Sequence, residues 1–245
     1  DFYTSNTYGN TIKITRHNPN GIVLWSKEVD FGDNITSMFL QDLSIDPISN
    51  TIAGVVGTGY TDAIPWLSNS GYSSYVFKFD EITQSIIWSQ LFIDSRFWNI
   101  HKTSTTQFVV TSQDSNYLIS ATILDSTTGA IISRKTGTSG EFYSTYYSGS
   151  LYGSCRYYQD SNSQFFTSIF KWDSTSLNNV WTKTYIKNAP VTRIYPVDPI
   201  VDSGSLVQLS FGNDTNFDDL YYNDSKIWLL KTDLNGNLNW TKQID

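Results

Sequence analysis

One pattern recurs five times along these 245 residues: an alternating apolar stretch that ends in or near an acidic residue, a short polar turn, then a stretch carrying Trp followed by a polar or basic pair. The copies read TIKITRHNPNGIVLWSKEV (11–29), YVFKFDEITQSIIWSQLF (75–92), SATILDSTTGAIISRKTG (120–137), SIFKWDSTSLNNVWTKTY (168–185) and IWLLKTDLNGNLNWTKQI (227–244). Their acidic residues Asp80, Asp125, Asp173 and Asp233 are 45, 48 and 60 residues apart, and Arg16 sits near the equivalent place in the first copy. The aromatic partners are Trp25, Trp88, Trp181 and Trp240, with Ser133 in the third copy. A hairpin repeated at this period is the signature of an all-β propeller, in which each blade is a four-stranded sheet.

The residues of each unit carry the same reading. Side chains alternate across a strand, so Leu229 and Lys231 point away from Leu230. Asp233 then opens a turn by accepting backbone amides two residues on, and Gly236 supplies the positive φ that ends it. The Trp of the following strand is expected to fill the wedge between neighbouring sheets, a packing role. Two more candidate strands precede each hairpin, as FWNIHKTS (97–104) and TQFVVTSQD (106–114) do in the third unit. The expected layout is a single β-propeller domain over 1–245 of about five four-stranded blades. An incomplete first blade covers about 1–30, and further blades cover about 33–92, 93–137, 141–185 and 192–244. The short first blade leaves open a larger propeller completed by other sequence.

The stretch IWLLKTDLNGNLNWTKQ resembles the delta-60 type repeat of secreted bacterial propellers. DSTTG at 125–129 is similar to the tryptophan-docking turn of quinoprotein-like propellers. The resemblance covers most of the chain as a repeat and implies a blade, not an activity, since propellers host lectins, adhesins, scaffolds, hydrolases and redox enzymes alike. The pattern departs from the docking turn at Ser133 and Arg16.

Composition narrows the partners. Charged residues make up 16% of the chain against roughly 25% in an average soluble domain, and the net charge is -7 with no run of Lys and Arg. Nothing here pairs with phosphate backbones, so nucleic acid and anionic membranes are not expected partners. No apolar run approaches the ~20 residues that span a bilayer, so no membrane insertion is expected. Cys155 is the single Cys, which excludes an internal disulfide and a thiolate zinc site. The chain opens on Asp1 with no Met and no signal-like stretch, as a processed or excerpted chain would. Low Lys with abundant Ser, Thr, Asn and Tyr suits an exposed β surface, and the expected location is extracellular or at the cell surface. Sequons at Asn34, Asn213, Asn223 and Asn239 are candidate N-glycosylation sites, in a number that chance alone gives at this composition.

Catalytic signatures are sparse. His17 lies in the first polar turn and His101 alternates with Ile100 in a strand, both structural settings. The sequence holds no GxSxG elbow, HExxH pair or phosphate-cradling Gly loop, so no enzyme and no obligate cofactor is expected.

Two segments are more site-like. In FGNDTNFDDLYYNDS (211–225), Asp214, Asn216 and Asp218 alternate as oxygen donors and make a candidate calcium loop, although Asp219 and Ser225 occupy the EF-hand's Gly and Glu positions. GYTDAIPWLSNSGYSS (59–74) presents Trp66 between Pro65 and Leu67. Trp66, Tyr146, Tyr147 and Tyr152 form the candidate binding face, on which sugars, surface proteins or other copies of the chain could stack. The functional expectation is a non-catalytic structural or adhesive module, such as a filament or surface-assembly subunit. A lectin-like propeller is the alternative, and a quinoprotein- or glycosidase-like enzyme rests on fold analogy alone.

Overall fold

Runs of β-branched and aromatic residues, broken by Asn, Asp and Gly turns, dictate strands throughout. The computed structural model describes residues 1–8, 11–31, 38–58, 73–114, 116, 118–139, 141–158, 165–185, 193–213 and 225–244. In sequence order the first sheet holds β1 (Phe2–Tyr8), β2 (Thr11–His17) and β3 (Val23–Asp30). The second holds β4 (Met38–Asp46), β5 (Thr51–Thr58), β6 (Ser73–Asp80) and β7 (Ser85–Ile93). The third holds β8 (Ser95–Lys102), β9 (Gln107–Asp114), β10 (Leu118–Asp125) and β11 (Ile131–Ser139). The fourth holds β12 (Glu141–Tyr147), β13 (Ser150–Tyr158), β14 (Phe165–Asp173) and β15 (Asn179–Tyr185). The fifth runs β16 (Arg193–Pro196), β18 (Ser205–Asn213), β19 (Ser225–Asp233) and β20 (Leu238–Ile244), with β17 (Ile200–Asp202) also on β18. Pro196 and Pro199 bracket the break between β16 and β17, where two residues lack the amide a ladder needs. No helix among the described residues is long and apolar enough to cross a membrane.

The inner strands, β2 in the first sheet and two in each of the others, are paired on both sides, and this sets the burial. β5 is buried along its whole length. Its Ile52 and Val56 join Ile12, Ile14, Phe77 and Phe79 in one cluster, while Ala53 and Val55 join Phe97, Ile100 and Phe108 in another. A strand covered on both faces must be apolar at successive positions, which is why TIAGVVGT does not alternate. Burying one such Phe contributes about 1.5–3 kcal/mol. The outer strand β7 instead alternates exposed with half-buried residues over most of its length.

The chain divides into two compact units, residues 1–116 with 122–133 and residues 117–121 with 134–245. The first contains both clusters just described. The second contains a cluster of Tyr152, Ile169, Leu206 and Leu230 with Trp181 packed against it.

The hairpin turns are built alike. Asp80 Oδ1 accepts the amides of Ile82 and Thr83, both at 2.8 Å. Asp125 accepts those of Thr127 and Thr128, Asp173 those of Thr175 and Ser176, and Asp233 those of Asn235 and Asn237. In the first sheet this place belongs to Asn18, not to Arg16 as the repeat alignment suggests. Asn18 Oδ1 accepts the amides of Asn20 and Ile22 at 3.0 and 2.9 Å, because an amide oxygen serves the turn as a carboxylate does. Each turn ends on a left-handed residue: Gly21, Gln84, Gly129, Leu177 and Gly236.

These bonds hold the turn carboxylates below their ordinary range. The Ser176 amide, with the Thr175 and Ser176 hydroxyls, takes Asp173 down to about 2. The amides of Thr83, Thr128 and Asn237 lower Asp80, Asp125 and Asp233. For Asp46, burial pushes upward, but Lys102 and Ser49 override it and leave the group at about 2. A carboxylate lowered on folding stabilises the native state fully above its unfolded value of about 3.9, and that stability is lost as pH falls through the folded value. Urea midpoints are therefore expected to stay level from pH 7 to about 5 and to fall between about pH 4 and 2. Asp173→Asn, which copies the Asn18 arrangement, should flatten part of that fall; an unchanged slope would show that the turn carboxylates do not set acid stability.

Candidate functional site

The outer strand of each hairpin does more than close its own sheet. Trp25 lies opposite Arg16, Trp88 opposite Lys78, Trp181 opposite Lys171 and Trp240 opposite Lys231. Directly opposed residues share a face, so each Trp stands beside a cation. The register shifts just after each of these cations, a bulge that re-aims the pair. Sequence reading marked the Trp and overlooked the cation, which lies two residues before the turn Asp or Asn; Ile123 holds that position in the hairpin where Ser133 replaces Trp.

Within each compact unit the pairs seat on the turn of the following sheet. Trp25 packs on Phe79 with ring centroids 5.8 Å apart, and Arg16 Nη1 donates to Glu81 at 2.8 Å. The Tyr3 hydroxyl donates to the same carboxylate at 2.9 Å; burial, then the Glu81 bond and charge, push Tyr3 up to about 12. Trp88 Nε1 and Lys78 Nζ both donate to the carbonyl of Ser126, at 3.2 and 3.0 Å. The Trp88 ring covers Gly129 so closely that a Cβ there would lie 2.7 Å from it. Trp181 covers Gly236 in the same way, at 2.9 Å, while Lys183 Nζ donates to Asn237 Oδ1 at 2.8 Å. The Trp181 indole N–H is buried without an acceptor among the described residues, so the ring on glycine is the element these two joints share. In the Ser133 hairpin, Lys135 Nζ still reaches Asn178 Oδ1 at 2.9 Å.

Trp240 departs from the expected wedge-filling role. It is 43% exposed, on the outer strand of its sheet.

A second polar cluster ties β4 to β8. Asp42 Oδ2 accepts the Ile100 amide at 2.9 Å and Ser44 Oγ the Lys102 amide at 3.1 Å. Buried Asp46 pairs with Lys102 and accepts from Ser49. The Asp42, Ser44 and Lys102 bonds join β4 to β8 and the Ser49 bond braces the turn after β4, and none of them leaves a base beside a nucleophile. His17 stacks on Phe2, its Nε2 2.8 Å from Thr4 Oγ1. His101 lies half-buried in β8. Cys155 is buried. Among the described residues, no group of three or more His, Cys, Asp or Glu is placed to hold a metal ion.

The candidate binding face divides. Tyr147 is 45% exposed and Tyr146 half-buried at the end of β12. Tyr152 is only 2% exposed, packed beside Trp181 at 6.4 Å between ring centroids, and so belongs to the core. Strand alternation sets Tyr152, which pairs with Thr145 across the ladder, on the face opposite to Tyr146, while Tyr147 shares its face but ends the outer strand β12. Trp66, the calcium loop residues Asp214, Asn216 and Asp218, and the sequons at Asn34 and Asn223 lie outside the described residues. Asn213 ends β18, and Asn239 is exposed on β20.

No protein-family model matches the chain, and no curated protein matches it. Among solved structures, the Dos1 propeller aligns with a TM-score of 0.55 at 10% identity, over 96% of this chain and 54% of its own. The β-propeller domain of the Trilobed protease from Pyrococcus furiosus aligns at 0.49 and 12% identity, over 99% of this chain and 71% of that one. A subtype N11 neuraminidase-like protein of A/flat-faced bat/Peru/033/2010 aligns at 0.48 and 10% identity, over 99% and 68%. The likeness to the Dos1 propeller bears on the fold: the chain is an all-β propeller. It spans about half the length of that structure.

Stability tests separate occupied from open turns. Gly129→Ala and Gly236→Ala should each incur the left-handed backbone cost of about 1–2 kcal/mol and, in addition, about 1–3 kcal/mol of overpacking against Trp. Gly21→Ala, with nothing among the described residues within 4 Å of where its Cβ would stand, should incur only the first. Trp88→Ala should cost about 3 kcal/mol and Trp240→Ala less than about 0.5 kcal/mol. Urea midpoints of the five proteins check this ranking; equal losses at Gly21 and Gly129 would remove the Trp–turn joint from the account.

Proposed function

We propose that residues 1–245 act as one non-catalytic β-propeller module of an extracellular or cell-surface structure, working as a structural or adhesive subunit that binds other copies or other surface proteins. The observation that carries this reading is the use made of the ionic side chains. Arg16 with Glu81, Lys102 with Asp46, Lys78 with Ser126 and Lys183 with Asn237 are all spent joining one sheet or strand to the next. A catalytic centre needs charged groups poised toward a substrate, and these are turned toward backbone and neighbouring sheets. Exposed aromatics at Tyr147 and Trp240 supply contact surface instead. The likeness of the last hairpin to the delta-60 repeat of secreted propellers supports the same reading, as does Asn239, an exposed sequon. Calcium held by Asp214, Asn216 and Asp218 belongs to the proposal as an accessory ion.

A lectin-like reading has its own observation in Tyr147, exposed next to half-buried Tyr146, a platform on which a sugar ring could stack. Glycan-array binding that drops tenfold or more in Tyr147→Ala, with an unchanged circular-dichroism spectrum, would favour it over protein adhesion.

Surface biotinylation of intact source cells, together with turnover assays on chromogenic glycosides, peptides and a quinone-linked dye couple, tests the main reading. Labelling without lysis and no turnover above buffer are expected. Labelling only after lysis would overturn the location, and saturable turnover would overturn the non-catalytic assignment.

A further inference from the structure

We propose that Lys183 and Asn237 close into a covalent amide cross-link between neighbouring sheets, with the Asp233 carboxylate carrying the proton from the attacking amine to the departing one. This modification goes beyond the functional reading above, and surface labelling and turnover do not bear on it.

All three groups lie in the second compact unit. Lys183 Nζ donates to Asn237 Oδ1 at 2.8 Å, and Asn237 Nδ2 donates to Asp233 Oδ2 at 2.8 Å. An ammonium only donates and a carboxylate only accepts, so these two partners fix which end of the amide is oxygen and which is nitrogen. A carbonyl bond of about 1.2 Å then puts Asn237 Cγ within about 4 Å of Nζ, close to the roughly 3–3.5 Å of a near-attack geometry.

The surroundings hold this arrangement in place. The Lys183 stem crosses Gly236, its Cδ 3.0 Å from where a Cβ would stand, beside the Trp181 ring at 2.9 Å. Asp233 Oδ1 accepts the backbone amides of Asn235 and Asn237, both at 2.8 Å, which leaves Oδ2 to the Asn237 side chain. The Asn237 amide bonds first, and the Lys183 charge last, keep Asp233 below the usual carboxylate range, so it is ionised and ready to accept a proton. Asn237 is exposed, which gives a leaving ammonia a path to water.

The preceding joint shows what is particular here. Lys135 Nζ meets Asn178 Oδ1 at 2.9 Å in the same way. In that turn Asp173 Oδ1 takes the amides and hydroxyls of Thr175 and Ser176, and among the described residues no bond ties Asn178 Nδ2 to a carboxylate. Asn178 stands five residues after its turn Asp and Asn237 only four, so the shorter turn folds the amide back onto the acid.

The step balances without an oxidant. The neutral Lys183 amine adds to Asn237 Cγ, a proton passes from Nζ to Asp233 Oδ2 and on to Nδ2, and the Cγ–Nδ2 bond breaks to release ammonia. An Nζ–Cγ amide remains and Asp233 ends as it began. The product ties β15 to the turn before β20, in a chain whose single Cys leaves it no internal disulfide.

Intact-mass spectrometry of the full chain, fresh and after incubation at about pH 9 where more of any lysine amine is neutral, tests this. The expected result is a loss of about 17 Da, the mass of ammonia, from the 27.8 kDa chain, and a branched tryptic peptide joining Lys183 to Asn237. Lys183→Arg, which keeps the charge and the donor, should abolish the loss, and Lys135→Arg should leave it in full. Asp233→Asn, which keeps the turn as Asn18 does, should slow the reaction about tenfold or more, with circular dichroism unchanged in all three variants. An unshifted mass after the alkaline incubation overturns the proposal. So does an ammonia loss that persists in Lys183→Arg, as a succinimide at Asn235–Gly236 would give, or a cross-link that forms equally fast in Asp233→Asn.

Discussion

A tryptophan laid over a left-handed glycine is the contact on which this architecture turns. A meandering sheet buries its middle strands easily, but its outer strand has an apolar side with no further strand to cover it. Trp88 meets that need with a large flat ring, and Gly129 permits it, because any Cβ at that φ would both strain the turn and collide with the ring. The turn Asp matters for the same reason. By gathering the amides that follow it, Asp125 fixes the turn so that Ser126 presents its carbonyl and Gly129 its bare backbone to the neighbouring sheet. Local turn chemistry and packing between sheets are thus one device.

The hairpins were legible because both halves of that device leave a mark in sequence: an Asp followed by a turn, then a Trp on an alternating strand. What escaped was set by register. Arg16 was aligned with the turn Asp because it is the charged residue nearest the expected place, whereas the ladder sets it opposite Trp25 and gives the turn to Asn18. Spacing alone does not reveal a bulge, and the bulge after Arg16 decides which side chain faces which. The same limit applies to the tyrosines. Tyr147 and Tyr152 read alike in a Tyr-rich segment and share a face of the sheet, yet Tyr147 ends the outer strand β12 and is exposed while Tyr152 lies on the inner strand β13 and is buried.

Electrostatics here is largely an internal matter. The chain has 16 Lys and Arg against 23 Asp and Glu, and Arg16, Lys78, Lys102, Lys135 and Lys183 are committed to contacts between sheets. The chain's net charge is -7. Copies therefore repel at long range, but at physiological ionic strength that repulsion is screened beyond about 8 Å.

Directionality follows from the joint's chemistry. The donor half, Trp with its cross-strand cation, lies on the outer strand, while the acceptor half lies in the turn that precedes it, and the two halves are unlike. Every hairpin of this kind therefore carries one of each, and satisfying a neighbour's donor does nothing for its own. The first hairpin satisfies its donor on Phe79 and Glu81. The last seats Trp181 on Gly236 and keeps an exposed Trp240. Two unlike halves in one hairpin give the joint a direction, from the outer strand of one sheet to the turn of the next.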